Sequence, residues 1–158
     1  MKSDKIKIGV VGVGHLGQHH AKHYSLLKNT DLVGICDTEP NRGRDIASQY
    51  HTKFYDKPSD LMKNCDGVSV VTPTASHYNV ARMAIEDFGC HVFIEKPITE
   101  TIDQANHLIA LSKTKNKIIQ VGHIERLNPA LKALEKYDIN PKFIDIQRLA
   151  PYTARGTD

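Results

Sequence analysis

The chain contains no tryptophan and only three cysteines, Cys36, Cys65 and Cys90. An odd number at these wide spacings argues against a disulfide framework and against a cysteine metal site, and it suits a reduced, cytoplasmic setting. Cys36 lies inside an apolar run and reads as a small core residue. Long apolar stretches are missing as well. The segment after Lys2, Lys5 and Lys7 is interrupted by Gly9, Gly12, Gly14 and His15, which removes it as a signal-peptide core, and nothing approaches membrane-spanning length. Charge of one sign is scarce too. The net charge is +3 and no basic run forms a stripe, so neither nucleic acid nor a membrane is expected as partner. Internal repeats and low-complexity segments are also lacking.

What is present is ordinary in amount and informative in order. With 158 residues, 40% hydrophobic and 25% charged, there is enough material for one domain with a real core, and two full domains would be cramped. Short β-branched runs alternate with segments of helical period. Strands are expected at residues 6–11, 32–36, 52–55, 68–71, 91–94 and 117–121. Helices are expected at 16–27, 41–50, around 61–62, 76–87 and 101–112. The strands do not alternate in polarity, which indicates a parallel sheet covered on both faces. The fold class is α/β, a doubly wound parallel sheet of Rossmann type.

The rhythm changes near the end. Residues 129–137 look helical, and 142–149 look like a strand with Ile144 and Ile146 on one face, Asp145 and Gln147 on the other. Such alternation suits an antiparallel sheet with one wet face. The expected organisation is a dinucleotide-binding domain over 1–128, then the start of an incomplete α+β substrate domain over 129–158.

The first strand runs into Gly12-Val13-Gly14-His15-Leu16-Gly17. Gly12 permits a tight turn, Gly14 lets a pyrophosphate approach the backbone, and Gly17 lets the following helix pack closely on the strand. The helix N-terminus then offers N–H groups to the phosphates. Asp37 closes the second strand, where a carboxylate can accept hydrogen bonds from an adenosine ribose. That acid suits NAD and repels the 2′-phosphate of NADP. Arg42 and Arg44 lie near enough in sequence to keep NADP open.

Three further polar clusters follow strands. They are Thr72-Pro73-Thr74, Glu95-Lys96-Pro97 and Gly122-His123. In an open parallel sheet, ligands lie outside the carboxyl ends of the strands, so these clusters would gather along one rim with the glycine loop. A lysine at such a place can pass on the proton of a reacting hydroxyl and, when protonated, stabilise negative charge developing on oxygen.

Taken together, the glycine run, Thr72-Pro73 with His77, Glu95-Lys96-Pro97 and the stretch Gly122 to Pro129 resemble the Gfo/Idh/MocA oxidoreductases. The run Gly122-His123-Ile124-Glu125-Arg126-Leu127-Asn128-Pro129, with Arg148 to Pro151 and Arg155 to Asp158, is most similar to the branch oxidising nucleotide-activated amino sugars at the 3-hydroxyl. The resemblance implies an NAD(P)-dependent dehydrogenase acting on a sugar or nucleotide-sugar hydroxyl, homo-oligomeric in its full-length form. It implies that Gly12, Val13, Gly14, His15, Leu16 and Gly17 hold the pyrophosphate and Asp37 the adenosine ribose. Thr72, Pro73, Thr74 and His77 would line the path to the nicotinamide, with Arg126 also against the cofactor. Glu95 would fix the nicotinamide ribose or amide, Lys96 would be catalytic, and His123 and Asn128 would border the substrate.

Family members carry a second domain with a catalytic histidine, and Asp158 precedes that stretch. Turnover by this polypeptide alone is therefore not expected. The alternative function is a non-catalytic dinucleotide-binding module, a sensor or partner subunit. A methyltransferase also uses a glycine loop and a following acid, but gives Glu95-Lys96-Pro97 no task. His19, His20 and His23 have helical spacings that can hold a metal, but no carboxylate or cysteine stands beside them, and they are expected to be exposed helix residues. Asp103 and His107 read as a surface pair.

Overall fold

A computed structural model of the chain describes residues 5–147 and Leu149. Six parallel strands form one sheet. They are β1 (Ile6–Val11), β2 (Thr30–Cys36), β3 (Lys53–Tyr55), β4 (Gly67–Val70), β5 (His91–Ile94) and β6 (Ile119–Val121). Their spatial order is β3-β2-β1-β4-β5-β6, the doubly wound arrangement whose direction of growth reverses between β1 and β4. The helices are α1 (Gly17–Leu26), α2 (Pro40–Gln49), α3 (Pro58–Met62), α4 (Thr74–Glu86), α5 (Ile102–Thr114) and α6 (Pro129–Lys132). Among the described residues no helix is long and apolar enough to cross a membrane.

The strands form because short valine- and isoleucine-rich runs can be buried on both faces of a parallel sheet. Their alternation divides the core. Val10, Val13 and Ile35 pack with Ala21 of α1 and Ala47 of α2. Val11, Cys36, Val68, Val70, Val92 and Ile94 pack with Ala81, Ala84 and Ile85 of α4 and Leu108 of α5. Pro40 and Pro58 sit in the first turns of α2 and α3, where no N–H partner is lost. A capping box starts α5: Thr101 Oγ1 accepts from Gln104 N, and Gln104 Oε1 accepts from Thr101 N, both at 3.3 Å.

Two compact units result, Met1–Gly122 and His123–Asp158. Within the second, a 3₁₀ turn (Ile124–Leu127) precedes α6. Two expectations fail here. The helix expected through Tyr137 is α-helical only to Lys132; beyond it come turns with Leu134 N bonded to Leu131 O and Tyr137 N to Leu134 O. Leu131, Leu134 and Tyr137 are exposed, and a short helix without a packed apolar face does not propagate. The strand expected over 142–149 is not formed among its described residues. Phe143, Ile144, Ile146 and Leu149 are exposed, and a lone extended segment has no ladder to join. Arg148, Ala150 and Pro151–Asp158 lie outside the described residues.

The glycine turn explains why α1 can lie so near the sheet. A Cβ on Gly17 would stand 1.9 Å from Gly12 O, whereas one on Gly14 would meet nothing within 4 Å. Gly17→Ala should therefore lower unfolding free energy by at least the about 1–3 kcal/mol typical of overpacking. Gly14→Ala should stay within about 1 kcal/mol of the parent. Urea midpoints of the two variants measure the difference, and equal losses would contradict this packing.

Candidate functional site

Every strand of a parallel sheet ends at the same edge, so the loops after β1, β4, β5 and β6 share one rim. The structure brings Gly12–Gly17, Thr72–Thr74, Glu95–Pro97 and Gly122 to that rim. Neighbouring loops also touch. Gly12, at φ +86°, lies against Val71 O and Thr72 N, so closely that a Cβ would stand 2.6 Å from the former. At the other end, a Cβ on Gly122 would meet the Glu95 carboxylate at 2.8–2.9 Å.

Asp37 is buried at the end of β2 and anchors the glycine turn. Its Oδ2 accepts from Val13 N at 2.7 Å, and its Oδ1 accepts from Glu39 N at 2.8 Å. Arg42 of α2 adds Nη2 to Oδ1 at 2.6 Å and Nε to Oδ2 at 3.3 Å. Burial opposes ionisation of Asp37, but the hydrogen bonds from Arg42, Glu39 N and Val13 N outweigh it and hold the carboxyl below its usual value. The neighbouring Cys36 is inert, because burial pushes its thiol up to about 11.

The first turn of α1 has no side-chain cap and no acidic residue; Gln18 N and His19 N bond Gly14 O and Leu16 O, and the positive end of the helix dipole, next to the glycine loop, favours an anion. His15 and Leu16 are exposed there. Thr72 Oγ1 is buried and, among the described residues, meets no hydrogen-bond partner. Open space over Gly14, an uncapped helix start and an orphaned hydroxyl on the adjoining loop together fit a dinucleotide.

His77 is placed behind this rim. It is buried in α4, with Nδ1 2.9 Å from Pro97 O and Nε2 2.8 Å from Thr72 O. Each ring nitrogen thus faces a backbone carbonyl, of which a neutral ring donates to one, and the imidazole packs between the Thr72 loop and the Pro97 loop. Pro73 is exposed and precedes Thr74, the first residue of α4.

Glu95 is buried and Lys96, next to it, is exposed; the Lys96–Pro97 peptide is cis. Glu95 Oε1 lies 3.1 Å from His20 Nε2, and Oε2 accepts from Lys96 N at 3.3 Å. The expectation that His20 is an exposed helix residue is overturned. His20 faces the sheet with its side chain 15% exposed, while His19 and His23 face solvent. Burial lowers the His20 pKa, an effect partly offset by the Glu95 carboxylate. The spacing of Gly17, His20, Ala21 and Tyr24 on α1 is a single helical stripe, and this was the available signal. Ser69, whose Oγ lies 2.9 Å from His20 Nδ1, is the other site neighbour that motif reading passed over. His107 pairs with Tyr78 Oη at 3.0 Å, in place of the expected Asp103.

Within the second unit, His123 and Arg126 are exposed. Asn128 caps α6, its Oδ1 accepting from Ala130 N at 2.9 Å and its Nδ2 donating to Glu125 Oε2 at 2.8 Å. A cavity of about 600 Å³ lies near the amino ends of β1–β3, lined by Lys7, Asp31, Thr52 and Lys53 among others. It is remote from the rim and holds none of the motifs.

The sequence profile of the oxidoreductase family with the NAD-binding Rossmann fold, Gfo/Idh/MocA, matches residues 6–123. The chain belongs to this family. It is 34% identical over 154 residues to the UDP-N-acetylglucosamine 3-dehydrogenase of Acidithiobacillus ferrooxidans, covering 97% of this chain and 48% of that protein. The crystal structure of that enzyme superposes with a TM-score of 0.79, over 83% of this chain and 42% of the other. A scyllo-inositol dehydrogenase from Lactobacillus casei, solved with NAD(H) and scyllo-inositol bound, is 25% identical, with a TM-score of 0.77 over 83% of this chain and 40% of that one. The chain thus spans about half the length of the relatives it matches.

The ionised state of Asp37 can be tested without ligand. Its folded pKa is lowered, so the stability it adds is complete above the ordinary aspartate value of about 3.9 and is lost as pH falls through the lower folded value. Asp37→Asn should flatten the fall in urea midpoint below about pH 4. An acid limb identical to the parent's would refute the ionised anchor.

Proposed function

We propose that the chain is the cofactor-binding half of an NAD(P)-dependent dehydrogenase that oxidises a sugar or nucleotide-sugar hydroxyl. The observation that carries this reading is the exposed Lys96 beside the buried Glu95, on the same rim as the glycine loop. In this reading Gly12–Gly17 hold the pyrophosphate, Asp37 the adenosine ribose, and Glu95 the nicotinamide side. Residues 129–158 begin the substrate domain, which would carry the oligomer contacts, and Arg126, His123 and Asn128 stand at its approach. The relative that acts on a nucleotide sugar and the one that acts on an inositol both support a polyhydroxylated substrate.

NAD, when bound, would supply the hydride acceptor for this chemistry. In this reading the exposed Lys96 takes the hydroxyl proton as the carbonyl forms, or relays it to water. Its ammonium form stabilises negative charge on the oxygen in the transition state. Thr72 Oγ1, without a partner among the described residues, would donate to the cofactor from the adjoining loop.

In a form extending through the second domain, Lys96→Ala should cut kcat about 10²–10⁴-fold with little change in NAD affinity, since proton transfer acts in the transition state. Loss of NAD binding with normal kcat at saturation would reduce Lys96 to a binding residue, full activity in the variant would remove it from the chemistry, and NAD binding without turnover in the parent would favour a non-catalytic module. Asp37→Ala should weaken NAD and improve NADP relative to it, by at most the about 1.5–3 kcal/mol of a charged hydrogen bond. Parallel NADH and NADPH titrations give the ratio, and an unchanged ratio removes Asp37 as discriminator.

A further inference from the structure

The hydrogen bonds beneath the Glu95 loop involve a residue outside every motif. His20 projects from α1 onto the sheet. Its Nδ1 lies 2.9 Å from Ser69 Oγ on β4, its Nε2 lies 3.1 Å from Glu95 Oε1, and the Phe93 ring of β5 meets it edge-on at 5.4 Å. A carboxylate only accepts, so Nε2 carries the proton and, in the neutral ring, Nδ1 accepts from the Ser69 hydroxyl. Tyr24 Oη stands 3.5 Å behind Ser69 Oγ. Serine, histidine and carboxylate are ordered here as in a hydrolytic triad, but Ser69 is 0% exposed. No substrate can reach its hydroxyl, so the polarity of the relay is directed outward, at Glu95.

We propose that His20 is a positioning residue that holds the Glu95 carboxylate for the nicotinamide side of the cofactor and ties the Glu95–Lys96–Pro97 loop to α1. The proposal rests on the dehydrogenase reading above. Its physical ground is that Glu95 is 4% exposed and that, among the described residues, its other donor is the long contact from Lys96 N. Without the His20 N–H, Oε1 is left unpaired in a buried place and the carboxylate must turn or admit water. Because His20 lies one turn beyond Gly17, a phosphate drawn to the start of α1 also settles the helix that aims Glu95.

The test compares NADH with ADP on this chain. ADP carries the adenosine and pyrophosphate but lacks the nicotinamide ribose, so it engages the glycine loop and Asp37 without Glu95. His20→Leu should weaken NADH by about tenfold or more, the loss of one hydrogen bond to a charged group, and shift ADP by less than about twofold. His20→Gln, whose amide N–H can reach Oε1, should recover most of the NADH affinity. Should His20→Leu not fold, His20→Asn, whose shorter amide falls short of Oε1, carries the same comparison. Equal NADH affinity in parent and variant, equal loss of NADH and ADP, or no recovery in a folded His20→Gln would each overturn the proposal. A parent that binds neither probe would refute the cofactor reading itself, and the inference with it.

Discussion

The turn after β1 is held by a buried carboxylate, and the geometry of the rim follows from it. Asp37 Oδ2 receives Val13 N at 2.7 Å, which pins the glycine loop to the end of β2 while Gly12 N bonds Cys36 O at 2.8 Å. With the loop fixed on that side, Gly12 can press against Val71 and Thr72 on the other. The direction of α1 is then determined, because Gly17 must pass Gly12 O at a distance that excludes any side chain. A charged acceptor is well suited to this task. Hydrogen bonds to ionised groups are about twice as strong as neutral ones, and a buried carboxylate with four donors has little freedom to turn.

From that anchor the constraint passes laterally. The His77 ring packs between Thr72 O and Pro97 O, Glu95 is backed by Gly122, and α1 returns to Glu95 through His20. Each loop is therefore located by a neighbour as well as by its own strand. This is how a parallel sheet can present precise groups on loops: the strands deliver them to one edge, and cross-links between loops remove the freedom loops otherwise keep. Lys96 is the exception, exposed beside its fixed neighbour, which suits the contact with a substrate proposed for it.

The sheet was legible in the sequence because the strands are short β-branched runs that a covered parallel sheet requires, bounded by glycine, proline and asparagine. The glycine loop and Asp37 were legible because their spacing reflects a fixed strand-turn-helix geometry. His20 was misread because three histidines on one helix look alike as a list, and only the stripe through Gly17, Ala21 and Tyr24 distinguishes the inward one. The Lys142–Leu149 segment was misread for a different reason. Alternating polarity states which way side chains would point if a strand formed, but pairing requires a neighbour.

The same reasoning bears on how Asp37 could receive a ribose. Its two oxygens already take four donors, from Val13, Glu39 and twice from Arg42. The backbone donors belong to the turn and cannot leave without dismantling it. Arg42 can leave: its side chain is 46% exposed, so the guanidinium meets water as it goes. A diol donating to the carboxylate replaces the hydrogen bonds that Arg42 withdraws. The displaced guanidinium would remain tethered to α2 beside Asp37, where the neighbouring group of a bound ribose would be a hydroxyl in NAD and a phosphate in NADP. Were Asp37 to take the ribose as proposed, Asp37 and Arg42 would act as one discriminator, the acid repelling the phosphate that the base attracts.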